Sequence, residues 1–245
     1  MNSTRALLGA ALAVLACQTG VQAATFTQPS PPVAQSTVVN PGFEGGFAGW
    51  STLGNTNIQT VAFGITPTQG SNQALLVNVG GAVTAASLES FLFGSANGTL
   101  TGLGATTGSA ITQTFTANAG ETLTFSWDFL TNEFLQEPQS NDFAFITLNG
   151  AVLATLDTFT PGFITPSAAG FFDSDTGYST RSFALATTGT YTLGFGVANR
   201  FDTLIRSGLL VDNVQVVPEP LSTMGLVFLG GWGAHLRLRR NKAKA

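Results

Sequence analysis

The sequence predicts an all-β fold, an antiparallel two-sheet β-sandwich, with an N-terminal signal peptide before it and a single hydrophobic helix after it. Three observations predict the sandwich. The chain is 44% hydrophobic, with 20 Phe, but only 9% charged, and 34 Thr, 17 Ser and 29 Gly supply much of the rest. An average soluble domain is about 25% charged. Thr, Gly and Phe are poorer helix formers than Ala, Glu or Lys, and they favour strands joined by glycine turns. Second, Leu123, Phe125, Trp127 and Phe129 alternate with Thr122, Thr124, Ser126 and Asp128, the period of a half-buried strand. Third, Asn149-Gly150 stands between two apolar runs, a strong hairpin signal.

The elements follow in chain order. Arg5, the apolar run Ala6 to Ala16 and the small residues around Val21-Gln22-Ala23 make residues 1–23 an expected secretory signal, with Ala24 as the mature start. Two other readings of this end stay open: lipidation at Cys17, and an apolar first helix of a cytosolic protein. Residues 24–37, with Pro29, Pro31 and Pro32 among Gln, Ser and Thr, read as an extended spacer. The sandwich is expected over 38–217. Its predicted strands are Asn57 to Phe63, Gln73 to Val79, Ala110 to Ala117, Glu121 to Leu130, Asp142 to Leu148, Ala151 to Leu156, Thr180 to Ala186, Thr190 to Val197 and Leu209 to Val217. Ala85 to Phe93 fits a short helix or a strand. No repeat of a solenoid's period is visible.

The residue inventory narrows the chemistry. Between Ala24 and Val217 there are twelve acids and three bases, namely Arg181, Arg200 and Arg206. Such a surface has no basic stripe for phosphates, which excludes nucleic-acid binding. A cation partner such as calcium suits it better. The one cysteine, Cys17, and the one histidine, His235, lie in the end segments, and the body has no lysine. That excludes zinc sites of Cys and His, disulfides, serine–histidine and cysteine–histidine catalysis, and lysine Schiff bases. Carboxylate chemistry remains.

At the C-terminus, Val217-Pro218-Glu219-Pro220 is followed by the largely apolar Leu221 to Leu236 and then by Arg237, Arg239, Arg240, Lys242 and Lys244. The prolines stop the preceding strand. Sixteen helical residues span about 24 Å, short of a hydrocarbon core of about 30 Å, and the cations after them should stay cytoplasmic. A plain tail anchor, or an apolar helix packed on the domain, would share these features. The order of triplet, apolar stretch and basic cluster over 218–245 resembles the PEP-CTERM sorting signal of exopolysaccharide-producing bacteria, a tail also catalogued as an ice-binding protein C-terminal domain. The resemblance implies a sorting motif at Pro218, Glu219 and Pro220, a transmembrane helix, and a basic stop that includes Arg237, Arg239, Arg240 and Lys242. It also implies export by signal peptidase, processing by an exosortase-type membrane transpeptidase, and passage from the inner membrane to the envelope or matrix. The tail label is not evidence of ice binding. Leu221 and His235 depart mildly from the family pattern.

Two further stretches carry a second resemblance. Asn40-Pro41-Gly42-Phe43-Glu44 with Gly49-Trp50 resembles the opening of carbohydrate-binding jelly-roll modules, and Leu210-Val211-Asp212-Asn213-Val214 resembles their closing strand. In such modules the two ends often share a structural calcium. The resemblance assigns it to Glu44 and Asp212, with help from Asn40; calcium takes six to eight hard oxygens. The alternative is that these carboxylates bond turn amides. The segments Leu130 to Glu133, Asn141 to Ile146, Gly194 to Val197 and Ser207 to Val214 also look like a body that often precedes PEP-CTERM tails, without assigned activity.

Glu133, Glu137 and Asp142 cluster in one polar stretch. Two of them could form a glycosidase pair, which needs a separation of about 5 to 9.5 Å and one raised pKa. The alternative is a solvated loop or a second cation site in an acidic domain. Sugar contact would come from exposed aromatics, and Trp50, Phe171, Phe172 and Tyr178 are the candidates; Trp127 alternates as a core residue. The expected function is that of an exported, non-catalytic envelope or exopolysaccharide-matrix protein, structural or glycan-binding. The alternatives are a carboxylate-dependent glycan-active enzyme and an unprocessed membrane-anchored surface protein.

Overall fold

In the computed structural model, the described residues are 36–138 and 141–218. The expected signal peptide, nearly all of the spacer, and the sorting tail from Glu219 onward, with its transmembrane helix, lie outside them. Among the described residues no helix is long and apolar enough to cross a membrane.

Among the described residues, twelve strands build two antiparallel sheets. They are β1 (Ser51–Leu53), β2 (Asn55–Thr60), β3 (Asn72–Val77), β4 (Val83–Thr84), β5 (Ala105–Ala117), β6 (Thr122–Thr131), β7 (Phe143–Leu148), β8 (Ala151–Asp157), β9 (Ser174–Asp175), β10 (Ser179–Ala184), β11 (Gly189–Arg200) and β12 (Ser207–Val217). Sheet 1 has the order β1-β5-β11-β7-β8, with β4 on β5; sheet 2 has the order β10-β6-β12-β3-β2, with β9 on β6. All nine predicted strands are present. The three that periodicity does not flag are two or three residues long, too short to show a period. Asn149 and Gly150 take positive φ (49° and 80°) and close β7 onto β8 with Leu148 opposite Ala151, as a two-residue hairpin requires.

Period two puts Leu123, Phe125, Trp127 and Phe129 of β6 against Leu193, Phe195 and Val197 of β11 in the core between the sheets. In β12 the alternation breaks once. Asn213 takes φ 53°, the register slips between Asp212 and Gln215, and Val211, Val214 and Val216 all turn inward. This is a β-bulge, and it frees the Val214 amide to donate to the Pro41 carbonyl (2.9 Å). The closing strand is thereby tied to the opening loop.

The segment left open between helix and strand is helix α1 (Ala85–Phe93). Thr84 caps its N-terminus by accepting from the Ser87 amide, and Gly94 ends it in the left-handed conformation, as such caps do. Leu88 and Leu92 pack on the outer face of sheet 1 beside Phe143 and Phe145. The glycines of the Gly194-Phe195-Gly196 run make this possible. A Cβ on Gly194 would stand 2.5 Å from Leu92, and one on Gly196 would stand 2.3 Å from the Phe145 ring.

The outer face of sheet 2 has its own apolar layer. Leu75, Val77, Leu130 and Leu210 are covered by Ala169 and Phe172 from the long β8–β9 connection. Gly208 leaves the room for this, since a Cβ there would meet Phe172 at 2.8 Å.

Candidate functional site

The cover over sheet 2 is incomplete, and a groove of about 190 Å³ opens beside it. Alternation puts Asn55 and Gln59 of β2 on the outer face with Leu75 and Val77 of β3. Leu75, Val77 and Phe172 are buried and make the apolar floor, where Phe172 meets Phe63 edge-on at 6.4 Å. Phe171, 68% exposed, stands at the rim with Arg206, Asn55 and Gln59.

Asn132 organises that rim. Its side-chain amide donates to the Phe171 carbonyl (3.3 Å), its Oδ1 accepts from the Asp173 amide (2.9 Å), and its own backbone N–H donates to the Arg206 carbonyl (2.9 Å). One residue at the end of β6 thus fixes both the aromatic and the cationic member. The Asn55 side chain donates to the Val79 carbonyl and accepts from Asn57.

The four aromatic candidates separate. Phe171 is exposed at the groove and Phe172 is its floor. Trp50 is a correction: it is 7% exposed, packs on Phe43 (5.2 Å) and Phe195 (6.2 Å), and donates Nε1–H to the Asn40 carbonyl, so it offers no face to a sugar. Tyr178 is half-buried and donates its hydroxyl to Gln73 Oε1 (2.5 Å). Burial pushes its phenol up, and the negative charges of Asp212 and Asp128 add to that. It stays a protonated donor within the fold.

Asn40, Glu44 and Asp212 belong to the ties between the opening loop, the closing strand and the turn at residues 68–72. Asp212 Oδ2 accepts from the Thr68 amide (2.6 Å), the Thr68 hydroxyl (2.9 Å) and the Gln69 amide (2.7 Å), while its Oδ1 accepts from the Asn213 amide. Glu44 Oε1 accepts from the Ser71 and Asn72 amides (2.7 and 2.8 Å). Asn40 folds its own loop, donating to the Gly46 and Ala48 carbonyls and accepting from the Gly45 amide. N–H groups directed at these oxygens suit an anion and oppose a cation on the same lone pairs. Glu44 Oε1 and both Asp212 oxygens thus accept turn amides; a calcium ion here would have to use the remaining lone pairs and the backbone carbonyls near Asn40.

The acidic stretch folds differently from its spacing. Glu133 and Asp142 converge with Asp202, with one oxygen of each within 4.8 Å of the others, whereas Glu137 is exposed. Asp142 is fully buried. Its Oδ2 accepts from Asn78 Nδ2 (2.7 Å) and Ser207 Oγ (2.8 Å), and its Oδ1 accepts from the Arg200 amide (3.1 Å). Asn78 and Asn199 bond each other, and Asn199 also donates to Thr107 Oγ1. The network joins the end of β3 and the start of β12 in sheet 2 to β5, β7 and β11 in sheet 1. Burial raises the Asp142 pKa to about 7, the bonds from Ser207, Arg200 and Asn78 oppose the rise, and the Glu133 charge adds to it. The three carboxylates have the spacing of a cation site, one of the readings the sequence leaves open for this stretch. Asp142 and Glu133 are 0% and 6% exposed, and Asp202 is partly exposed. Asp202, Asn78 and Asn199 have no local sequence signal, because each meets its partners from a distant strand end.

No family model matches the chain, and no curated protein matches it. Solved structures do resemble it. The carbohydrate-binding module TmCBM61, solved in complex with beta-1,4-galactotriose, shares 12% identity over 76% of this chain and 100% of its own, with a TM-score of 0.44. The K3 cleaved adhesin domain of Lys-gingipain from Porphyromonas gingivalis shares 15% over 74% and 99%, with a TM-score of 0.42. The CBM22-1 xylan-binding domain of Xyn10C from Paenibacillus barcinonensis shares 10% over 75% and 95%, with a TM-score of 0.36. At these identities and TM-scores, function has to be argued from the residues themselves.

Proposed function

We propose that this is an exported, non-catalytic protein of the cell envelope or exopolysaccharide matrix, whose sandwich grips polysaccharide through the groove on the outer face of sheet 2. The observation that carries the reading is the exposed Phe171 ring beside an apolar floor, with Asn55 and Gln59 on the same rim. Sugars present C–H faces that stack on aromatic rings and hydroxyls that pair with amides, the combination of apolar surface and few polar groups that small-molecule sites use. The burial of Glu133 and Asp142 supports a binder over a hydrolase. Export through residues 1–23, and sorting with processing at Pro218-Glu219-Pro220 by an exosortase-type transpeptidase, complete the proposal; they rest on the sequence pattern of the two ends.

A glycan array probed with the full-length protein tests the binding. The expected result is capture on defined glycans without release of reducing ends, weakened about tenfold in Phe171→Ala with an unchanged melting temperature. Capture that is indifferent to Phe171→Ala would move the site elsewhere. Release of reducing ends that Glu133→Gln abolishes would make the protein an enzyme.

A further inference from the structure

We infer that the groove selects anionic glycans, and that Arg206 reads the carboxylate of a uronic-acid unit while Phe171 stacks on the same ring. This rests on the glycan-binding reading and narrows it.

The charges of the body are arranged for it. Of the three arginines between Ala24 and Val217, Arg200 is already used: it lies 4.0 Å from Asp157, over the Phe143 ring at 4.7 Å, and donates to the Leu103 carbonyl. Arg181 sits on β10, at the opposite edge of sheet 2 from β2 and the groove. Arg206 alone lines the groove. It is exposed, and among the described residues no carboxylate lies within 4 Å of it. In a body with twelve acids and three bases, that is a notable place to leave a cation unpaired.

Strand alternation keeps the nearby acids away. Arg206 immediately precedes β12, and successive residues point to opposite faces. Ser207 turns inward to Asp142, while Gly208 and Leu210 lie on the outer, groove-bearing face. The Glu133–Asp142–Asp202 cluster is thus bonded to the inner side of the chain at this point, and Arg206 belongs to the other.

The recognition chemistry is specific. A guanidinium offers parallel N–H donors that match a carboxylate in a bidentate pair. A uronate carries its carboxylate on the ring edge, so a ring stacked on Phe171 can present that group to a cation on the same rim. Asn132 fixes the backbone of both residues, so the aromatic and the cation are positioned together.

The test uses the full-length protein with polygalacturonate, alginate and hyaluronate, each beside its carboxyl-reduced neutral form. Wild type is expected to bind at least one acidic polymer about threefold more tightly than its reduced partner, the scale of one exposed ion pair. Arg206→Gln should erase the preference with an unchanged melting temperature, and Arg206→Lys should restore part of it. Equal binding to both members of every pair, or a preference that survives in Arg206→Gln, overturns the anionic inference and leaves glycan binding standing. Binding to none of the polymers, with an empty neutral-glycan array, overturns both.

Discussion

Asp142→Asn is the substitution that tests the electrostatics of the sandwich most directly. Asp142 titrates near 7 in the fold because it is buried and faces Glu133, against about 3.9 for an exposed aspartate. The folded state therefore keeps a proton that the unfolded chain has already lost. A raised carboxylate pKa makes stability highest at low pH, and stability falls as pH climbs towards the folded value. Between pH 5 and 7 the fall is about 1.4 kcal/mol per pH unit, or roughly 2–3 kcal/mol from this residue. Asp128, raised to about 7 by burial and by the charge of Asp175, contributes a similar fall, and burial raises Asp212 in the same direction. Glu89 and Glu121 do not oppose it in this window: burial raises them, but hydrogen bonds from Thr101 and Gly98, and from Asn118, hold them below the usual carboxylate value, so they stay ionised. The amide of Asp142→Asn cannot ionise, so it should remove that one residue's share of the slope. It should also cost about 1–2 kcal/mol at pH 5, because the amide brings two N–H donors where the protonated acid has one O–H, against Asn78, Ser207 and the Arg200 amide that already donate there. Thermal unfolding of the full chain by circular dichroism reads both effects. For a domain of this size 1 kcal/mol is roughly 2–4 °C, so the wild-type midpoint should drop by at least roughly 4 °C from pH 5 to 7, and by less in the variant. A midpoint that rises with pH, or an undiminished slope in Asp142→Asn, would refute the reasoning.

Three other outcomes follow from contacts already described. Gly196→Ala drives a methyl into the Phe145 ring and should destabilise by about 1–3 kcal/mol in urea unfolding; pairing it with Phe145→Leu should recover part of the loss. Asp212→Ala removes the acceptor of two amides and a hydroxyl in the 68–72 turn, with an expected loss of about 2–4 kcal/mol and faster hydrogen exchange at Thr68 and Gln69. If a chelator instead lowered the wild-type midpoint and left Asp212→Asn unmoved, a cation would stand where the structure places amides. Intact mass of the protein recovered from the host envelope and medium should show a chain starting at Ala24 and ending near Pro218 to Pro220; a chain still ending at Ala245 would make the tail a permanent anchor.

What the sequence could tell depended on whether the deciding partner was near or far along the chain. Strand positions were legible because alternation is local: Leu123, Phe125, Trp127 and Phe129 mark one face of β6 without any knowledge of β11. The hairpin at Asn149-Gly150 was legible for the same reason, since positive φ is a property of those two residues. The sites were not. Glu44 and Asp212 look alike whether their lone pairs meet calcium or the amides of the 68–72 turn, and only the fold brings in the Thr68 amide, 144 residues from Asp212. Trp50 read as a possible sugar platform because aromatic rings suit cores and glycans equally, and its fate was decided by Phe43 and by Phe195 on a distant strand.

The neighbours Phe171 and Phe172 show the intermediate case. Adjacent residues seldom share a face, so a pair of them at a sheet surface is naturally one anchor and one exposed ring. Which is which depends on Gly208, the residue whose missing side chain admits Phe172 to the sheet. The same strand start directs Ser207 inward to the carboxylates and leaves Arg206 at the groove. Two residues that composition alone records as a scattered arginine and a turn-forming glycine therefore set the charge and the depth of the proposed binding surface. Substituting Gly208 should disturb the anchor and the groove together, whereas substituting Phe171 or Arg206 should change the surface without touching the fold.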